Sequence, residues 1–310
     1  MTARLRTLKA ALGGDLSGNT LLCPTIGHGR KDRGTSYTDK PGAPDGLLVK
    51  VHNGNGRTDD LAAKDLALRI LGEEPEFLRR QREPGSPIEN MQRRHQRRLA
   101  EEQDRASTMR KQRLARDIWD AGRDPRRTIV ETYLHSRALD LPDDIAGEVI
   151  RFVERCPFGQ GGATAPCMVA LMRDPLTGER QAIHRTALTP DGRKIDRKML
   201  GPAGAVMLDA ETEITTGLAI GEGIETCLAA RQLGIRPVWA LCSTSGITAF
   251  PVLPGIEALT LLLENDESGA SERACRSAGT RWHRAERSVD MVRPRVGKDL
   301  NDTIREGVAA

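Results

Sequence analysis

From about residue 215 onward the sequence alternates short apolar runs with longer stretches of helical spacing: "GLAIGEG", "IETCLAARQL", "PVWALCS", "ALTLLLEND", "SERACRSAGTRWHRA" and "SVDMVRP". Strands alternating with helices of roughly ten to fifteen residues predict a mainly parallel sheet with helices packed on its faces. In the second helical stretch Ala274, Ala278, Trp282 and Ala285 fall three or four apart and form one apolar stripe.

Sheets of this kind build their sites at the carboxyl ends of the strands, where loops leave the sheet. Three acidic groups fall there. The first strand runs into Gly221, Glu222 and Gly223, "ALTLLL" runs into Glu264, Asn265 and Asp266, and the last strand is followed by "GKDLND", with Asp299 and Asp302. Buried strands that finish in acids crowd negative charge, which is unfavourable unless a cation shares the space. Oxygen-only ligation favours a hard ion, so Mg2+ is expected, with Mn2+ as a workable substitute. Through such an ion carboxylates can polarise a phosphate and position an attacking hydroxyl, which points to phosphoryl or nucleotidyl transfer. The glycines flanking Glu222 would let backbone approach a ligand and keep the carboxylate uncovered. Taken singly, each group reads as exposed loop acids; three at the strand ends of one sheet favour a site.

The chain has 310 residues, enough for two compact domains or one large domain with appendages. Composition divides it further. Residues 1–75 read as a small module, rich in turn signals ("GHGRKDRG", "KPGAPDG", "NGNG"), with one strand candidate, "GLLVKV", and a helical pattern from Asp59 to Leu71. Residues 76–126 read as a basic helical linker opened by "EPGSP". Residues 127–212 read as an α+β region, with a helix at "TIVETYLHSR" and strands "PCMVALMRD" and "RQAIHRTALT" joined by the turn "PLTG". Residues 213–310 carry the alternating pattern. The fold class is therefore α/β, with smaller elements ahead of a parallel sheet.

Aromatics make up only 3% of the chain, so the core rests on aliphatic residues, and nucleic-acid recognition by stacking on rings is not expected. A net charge of +4 means little until its distribution is considered. In "MQRRHQRRLAEEQDRASTMRKQRLAR" the cations Arg93, Arg94, Arg97, Arg98, Arg105, Arg110, Lys111, Arg113 and Arg116 outnumber the acids. This stretch is either a solvated helix held by pairs three or four residues apart, or a phosphate-contacting arm that binds without sequence preference and weakens with salt. Cys23, Cys156, Cys167, Cys227, Cys242 and Cys275 form no CxxC pair, and no apolar stretch is long enough to cross a bilayer. A reducing cytoplasm and no membrane partner are expected.

The order and spacing of the strand-end acids resemble the Toprim domain, the catalytic fold shared by bacterial-type primases, topoisomerases and some nucleases. That family places a glutamate after its first strand and an acid-x-acid pair after a later one. Glu222 matches the glutamate, and Glu264 and Asp266 match the pair, although Glu264 stands where the family usually has aspartate. "GKDLND" is similar to the closing segment of primase-like Toprim proteins from phages and mobile elements. The resemblance covers about residues 215–304 and implies that Glu222, Glu264 and Asp266 are catalytic and hold the metal.

Upstream, "IHRTALTPDGRKIDRKMLGPAGAVML" resembles the region before Toprim in those mobile-element proteins. The resemblance makes Arg185, Lys194, Arg197 and Lys198, together with Lys298, Asp299 and Asp302, candidates for nucleotide and phosphate binding; each upstream cation reads equally well as an exposed hairpin charge. "LLCPTIGHGRKDRG" looks like the start of a primase zinc-binding module, with Cys23 and His28. Structural zinc needs four ligands, no second cysteine appears before Cys156, and even with His52 the set is one short, so zinc is not expected.

The resemblance implies a DNA primase-like nucleotidyltransferase of a phage or mobile element. In it the acids and Mg2+ activate a 3'-hydroxyl against the α-phosphate of a nucleoside triphosphate. Arg93, Arg94, Arg97, Arg98, Arg110, Lys111 and Arg113 would hold single-stranded DNA. Two alternatives stand beside it: phosphodiester hydrolysis by the same acids, and a non-catalytic DNA-binding accessory protein. Cleavage through tyrosine is disfavoured, since Tyr37 and Tyr133 both lie away from the matched motif. Without a GxxxxGK[ST] loop, helicase work falls to a separate protein.

Overall fold

The computed structural model describes residues 2–26, 29, 32–52, 57–75, 87–159 and 162–308. They divide into two compact units, Met1–Ser107 and Thr108–Ala310.

In the first unit the Thr2 hydroxyl accepts the Leu5 N–H and so caps α1 (Ala3–Leu12), which Gly13 ends at a φ of +74°. Four antiparallel strands follow in sequential order: β1 (Asp15–Ser17), β2 (Thr20–Cys23), β3 (Thr35–Asp39) and β4 (Leu47–Val51). Strand β4 alternates exposed with buried positions, Leu47, Val49 and Val51 being buried, and of the four it was the one legible as a strand. Helix α2 (Arg57–Leu71) presents Ala63 and Ala67 to a core shared with Leu5, Leu8, Leu21 and Tyr37. Cys23 sits in that core with no exposure, and burial pushes its thiol up to about 11. His28 lies outside the described residues. His52 is exposed and its ring bonds to Ser36 Oγ at 3.0 Å.

Helix α3 (Pro87–Asp120) is the arginine-rich stretch. Pro87 takes its first turn, where a missing N–H breaks no helical bond. Near its end Ala115, Ile118 and Trp119, three or four residues apart, turn into the core of the second unit.

That unit continues with α4 (Ile129–Ser136), capped by Thr128 Oγ1 accepting the Val130 N–H at 3.1 Å. An antiparallel sheet then runs in order through β5 (Ile150–Pro157), β6 (Thr164–Arg173), β7 (Arg180–Leu188) and β8 (Lys194–Leu200). Strict two-residue periodicity splits its side chains. Met168, Ala170, Met172 and Ala182 pack with Val130 and Tyr133 of α4, while Cys167, Val169, Leu171 and Ile183 pack on Trp119 and Ile118 of α3.

The alternating part forms β9 (Val206–Met207), β10 (Gly217–Gly221), α5 (Ile224–Gln232), β11 (Val238–Ala240), α6 (Thr244–Ala249), β12 (Ala258–Leu262), α7 (Ala270–Arg284), β13 (Ser288–Val292) and α8 (Leu300–Val308). The sheet order is β13-β12-β10-β11-β9, parallel except for β9. Helix α5 is buried from Ile224 through Arg231, because Cys227, Leu228 and Ala230 share one core with Met168 and Ala170 of the antiparallel sheet. Ala274, Ala278 and Trp282 of α7 are buried as their stripe predicts, with Trp282 stacked 6.0 Å from Phe250; Ala285 lies past the helix end and is exposed. Asp209, 1% exposed, ties the segment after β9 to α5 and β11: its carboxylate accepts from Arg231 Nε at 2.9 Å, Arg236 Nε at 2.8 Å and the Val238 N–H at 2.7 Å.

Candidate active site

Strand β10 delivers Glu222 to the sheet's carboxyl end through a glycine that packing demands. A Cβ on Gly221 would lie 2.7 Å from Cys227 Sγ and 3.2 Å from Leu262, so no larger residue fits without moving the core. Gly223, the N-cap of α5, has an ordinary φ of −81°, and a Cβ there would meet Thr226 Oγ1 at 2.9 Å. The pair is thus explained by contact with Cys227 and Thr226 rather than by unusual backbone geometry.

One cleft of about 710 Å³ gathers Glu222, Glu264 and Asp266 with Lys298, Asp299 and Asp302 and with the β8 cations Lys194 and Arg197. Glu222 Oε1 lies 3.4 Å from Arg197 Nη2, and Glu264 Oε2 lies 3.8 Å from Lys298 Nζ. Glu264 Oε1 also accepts the Thr226 hydroxyl at 3.3 Å. Burial raises the pKa of both glutamates; the charge of Asp266 adds to it at Glu222 and that of Glu222 at Glu264, against Arg197 and Lys298. The upward shift is thus chiefly the effect of taking two carboxylates out of water, with Arg197 and Lys298 opposing it.

Asp266 behaves differently. Its Oδ1 accepts the Ser268 hydroxyl and, at 3.0 Å, the Ala270 N–H, while Oδ2 accepts the Ser271 N–H at 2.8 Å. Burial would raise its pKa, but the bonds from Ser268, Ser271 and Ala270 outweigh it and lower it. Ser271 Oγ in turn accepts the Glu264 N–H at 2.9 Å, locking the loop to the start of α7. Asp266 is spent on capping that helix.

"GKDLND" likewise builds a helix start. Asp299 Oδ1 accepts the Asp302 N–H at 3.0 Å and Asp302 Oδ2 accepts the Lys298 N–H at 2.9 Å, a reciprocal cap for α8. An acid followed three residues later by another, ahead of apolar Leu300 and Ile304, was the signal for this helix, which the sequence reading passed over.

The upstream cations divide by strand parity. Arg185 on β7 pairs in register with Lys198 on β8, and Thr186 pairs with Arg197. Arg185 and Lys198 therefore lie on the face opposite Arg197 and do not line the cleft that was expected to include them. Arg185, 8% exposed, bonds to the Pro157 carbonyl, and Lys198 Nζ sits 4.6 Å over the Phe158 ring and bonds to its carbonyl at 3.0 Å. Lys194 should share the face of Lys198, but the register shifts between Ala187 and Leu188, where two steps of β8 oppose one of β7. This bulge returns Lys194 to the cleft beside Arg197.

Two further groups were missed. Arg137 lines the cleft and donates to Asn301 Oδ1 at 2.7 Å. Glu225, 7% exposed, accepts Lys194 Nζ at 2.9 Å and the Tyr133 hydroxyl. A lone acid in the otherwise small and apolar "IETCLAA" was the available sign. Along α3, Arg94, Arg97, Arg98, Arg110, Lys111 and Arg113 are exposed and Arg93 is half-buried.

Among the described residues no three His, Cys, Asp or Glu side chains are grouped so that they could hold a metal ion. Both Asp266 oxygens accept donors from the start of α7, whereas Glu222 and Glu264 face Arg197 and Lys298 across the cleft. Glu222 and Glu264 are hard oxygen donors, largely desolvated at the cleft floor. That set fits Mg2+, which is commonly held by one or two carboxylates and completed by substrate phosphates and water.

Two family models match the chain: a domain of unknown function (DUF7146) at residues 109–208, and the Toprim domain at residues 217–310. No curated protein matches. Solved structures similar to the chain include a DNA primase domain from Pseudomonas aeruginosa, 15% identical with a TM-score of 0.47, covering 63% of this chain and 74% of that one. The primase fragment of the bacteriophage T7 primase-helicase protein is 16% identical with a TM-score of 0.40, covering 57% and 69%. The zinc-binding and RNA polymerase domains of Aquifex aeolicus primase are 13% identical with a TM-score of 0.47, covering 99% and 83%.

Proposed function

Because the chain carries a Toprim domain at residues 217–310, we propose that it is a primase-like nucleotidyltransferase that extends nucleotides on single-stranded DNA, in the replication of a phage or mobile element. One observation supports this most: Glu222 and Glu264 converge with Lys194, Arg197 and Lys298 in a single cleft at the carboxyl ends of parallel strands.

Such a cleft places acids and cations in complementary roles. Mg2+ bound by Glu222 and Glu264 supplies Lewis-acid polarisation of a substrate phosphate. Lys298 and Arg197 hold triphosphate oxygens and compensate charge as it develops. Lys194 is anchored by Glu225 and presents its ammonium at the cleft wall. Glu222, whose proton affinity burial has raised, accepts the proton of the 3'-hydroxyl as the oxygen attacks the α-phosphorus and pyrophosphate leaves. The exposed arginines of α3 hold template phosphates, and a separate helicase opens the duplex.

The commitment of Asp266 to a helix cap favours one other reading, a DNA-binding accessory protein that has lost turnover. Incubation with single-stranded template, nucleoside triphosphates and Mg2+ separates the cases. New short oligomers that Glu222→Gln abolishes support synthesis, template shortening means hydrolysis, and salt-sensitive binding without either means the accessory role. Undiminished priming by Glu222→Gln overturns the assignment of the site.

A further inference from the structure

The parallel sheet ends at β13 with an open edge. The Ser288 N–H donates to the Glu257 carbonyl at 2.8 Å and the Val292 carbonyl accepts the Leu263 N–H at 2.9 Å. Alternate residues of a parallel strand bond to the same neighbour, so Ser288, Asp290 and Val292 aim their backbone at β12. The N–H and C=O groups of Val289 and Met291 point the other way, where no further strand pairs with them among the described residues.

A groove of about 1020 Å³ runs between this strand and α7. Gly279 opens it: a Cβ there would lie 3.3 Å from Val289 and 3.6 Å from Met291, so the missing side chain leaves both apolar groups accessible. Met291 is 46% exposed. Above them stand Arg284 and Arg287, neither of which has a carboxylate partner among the described residues, and Arg287 Nε is buried without a hydrogen-bond acceptor. An unpaired edge flanked by the Val289 and Met291 side chains, with two guanidinium groups that form no ion pair among the described residues and only the Glu286 carboxylate against them in the groove, is the complement of an extended, acidic segment.

We propose that the β13 edge docks an acidic extended peptide of a partner protein, which adds as a sixth strand and sets its carboxylates against Arg284 and Arg287. Pairing of β13 with a second copy would bring like arginines together, which is unfavourable. Nucleic acid fits less well. Its phosphates only accept, whereas the edge offers carbonyls as well as N–H groups, and the groove holds no Phe, Tyr or Trp on which bases could stack.

The test uses the full chain and a fluorescent synthetic peptide alternating Glu and Val, with a Lys–Val peptide and oligothymidine as controls. Met291→Pro removes an N–H that the fold leaves unpaired, as edge strands tolerate. We expect saturable binding of the acidic peptide alone, weakened about tenfold or more by Met291→Pro and by paired Arg284→Glu and Arg287→Glu. In the unaltered protein, bound peptide should slow amide exchange at Val289 and Met291, a readout that holds even where the proline variant fails to fold. Absence of that protection, or equal binding of the Lys–Val peptide, overturns the proposal. Oligothymidine binding that the arginine reversals abolish and the proline leaves intact would assign the groove to nucleic acid, and a dimer dissociated by Met291→Pro would assign it to self-association; either result overturns it too.

Discussion

Glu225 accepts a hydrogen bond from Lys194 Nζ at 2.9 Å, joining the first turn of α5 to the bulged start of β8. Burial alone would raise the pKa of this acid; the Lys194 ammonium and the Tyr133 hydroxyl outweigh it and hold it at about 2. The bond fixes one wall of the cleft to its floor, since Arg197 follows Lys194 on the same strand and reaches Glu222.

Glu225→Ala leaves the buried Tyr133 hydroxyl without its acceptor and is expected to lower unfolding free energy by about 1–3 kcal/mol. Glu225→Gln keeps an acceptor and should lose less. Urea denaturation of the two variants at neutral pH checks the order.

The raised proton affinity of Glu222 and Glu264 has a defined sign in linkage. Each acid contributes stability that is complete below the ordinary carboxylate range and is lost as pH rises through its raised native value. At neutral pH in the absence of divalent ions, Glu264→Gln should therefore raise the melting temperature. Added Mg2+ should stabilise the unaltered protein and leave the Glu222→Gln, Glu264→Gln double variant unchanged. Scanning fluorimetry with and without Mg2+ reads both effects.

Asp266→Ala should cost about 1 kcal/mol of stability through the lost cap of α7, while Mn2+ affinity falls far less than in Glu222→Gln. Calorimetric titration with Mn2+ beside thermal unfolding separates capping from ligation. Equal loss of Mn2+ binding in the two variants would show that Asp266 leaves its cap to join the ion.

His184 lies on β7 with 5% exposure and an unpartnered Nδ1. Burial lowers its pKa from 6.5 to about 4, with Arg197, Lys194 and Arg185 adding to the effect and Glu225 opposing it. The unfolded chain binds this proton more readily, so the stability that neutral His184 maintains above pH 6.5 is lost as pH falls through about 4, by roughly 3 kcal/mol in all. His184→Leu should flatten that acid limb when unfolding is followed across the pH range.

Arg197→Ala should weaken binding of nucleoside triphosphate or single-stranded DNA and reduce the salt slope by about one, whereas Lys198→Ala should change neither. Fluorescence anisotropy across a salt series distinguishes them. Equal effects would mean that the strand-parity argument misplaces Lys198.

The alternation after residue 215, the strand ends and the acids that follow them were legible because periodicity and strand direction are local properties. Residues Gly217–Gly221 and Ala258–Leu262 became strands, and Glu222 and Glu264 share a cleft. Strands β1 to β3 were not legible, since they are short and only their pairing makes them strands.

What the chain order determined by itself was which acids leave a parallel sheet at its carboxyl edge. Which charges meet there was decided only in three dimensions. A one-residue bulge in β8 turns Lys194 inward, strand parity turns Arg185 and Lys198 outward, and helix α7 claims both oxygens of Asp266. Side-chain direction depends on register and on competing hydrogen-bond donors, and both come from segments distant in sequence or from the fold of the loop itself.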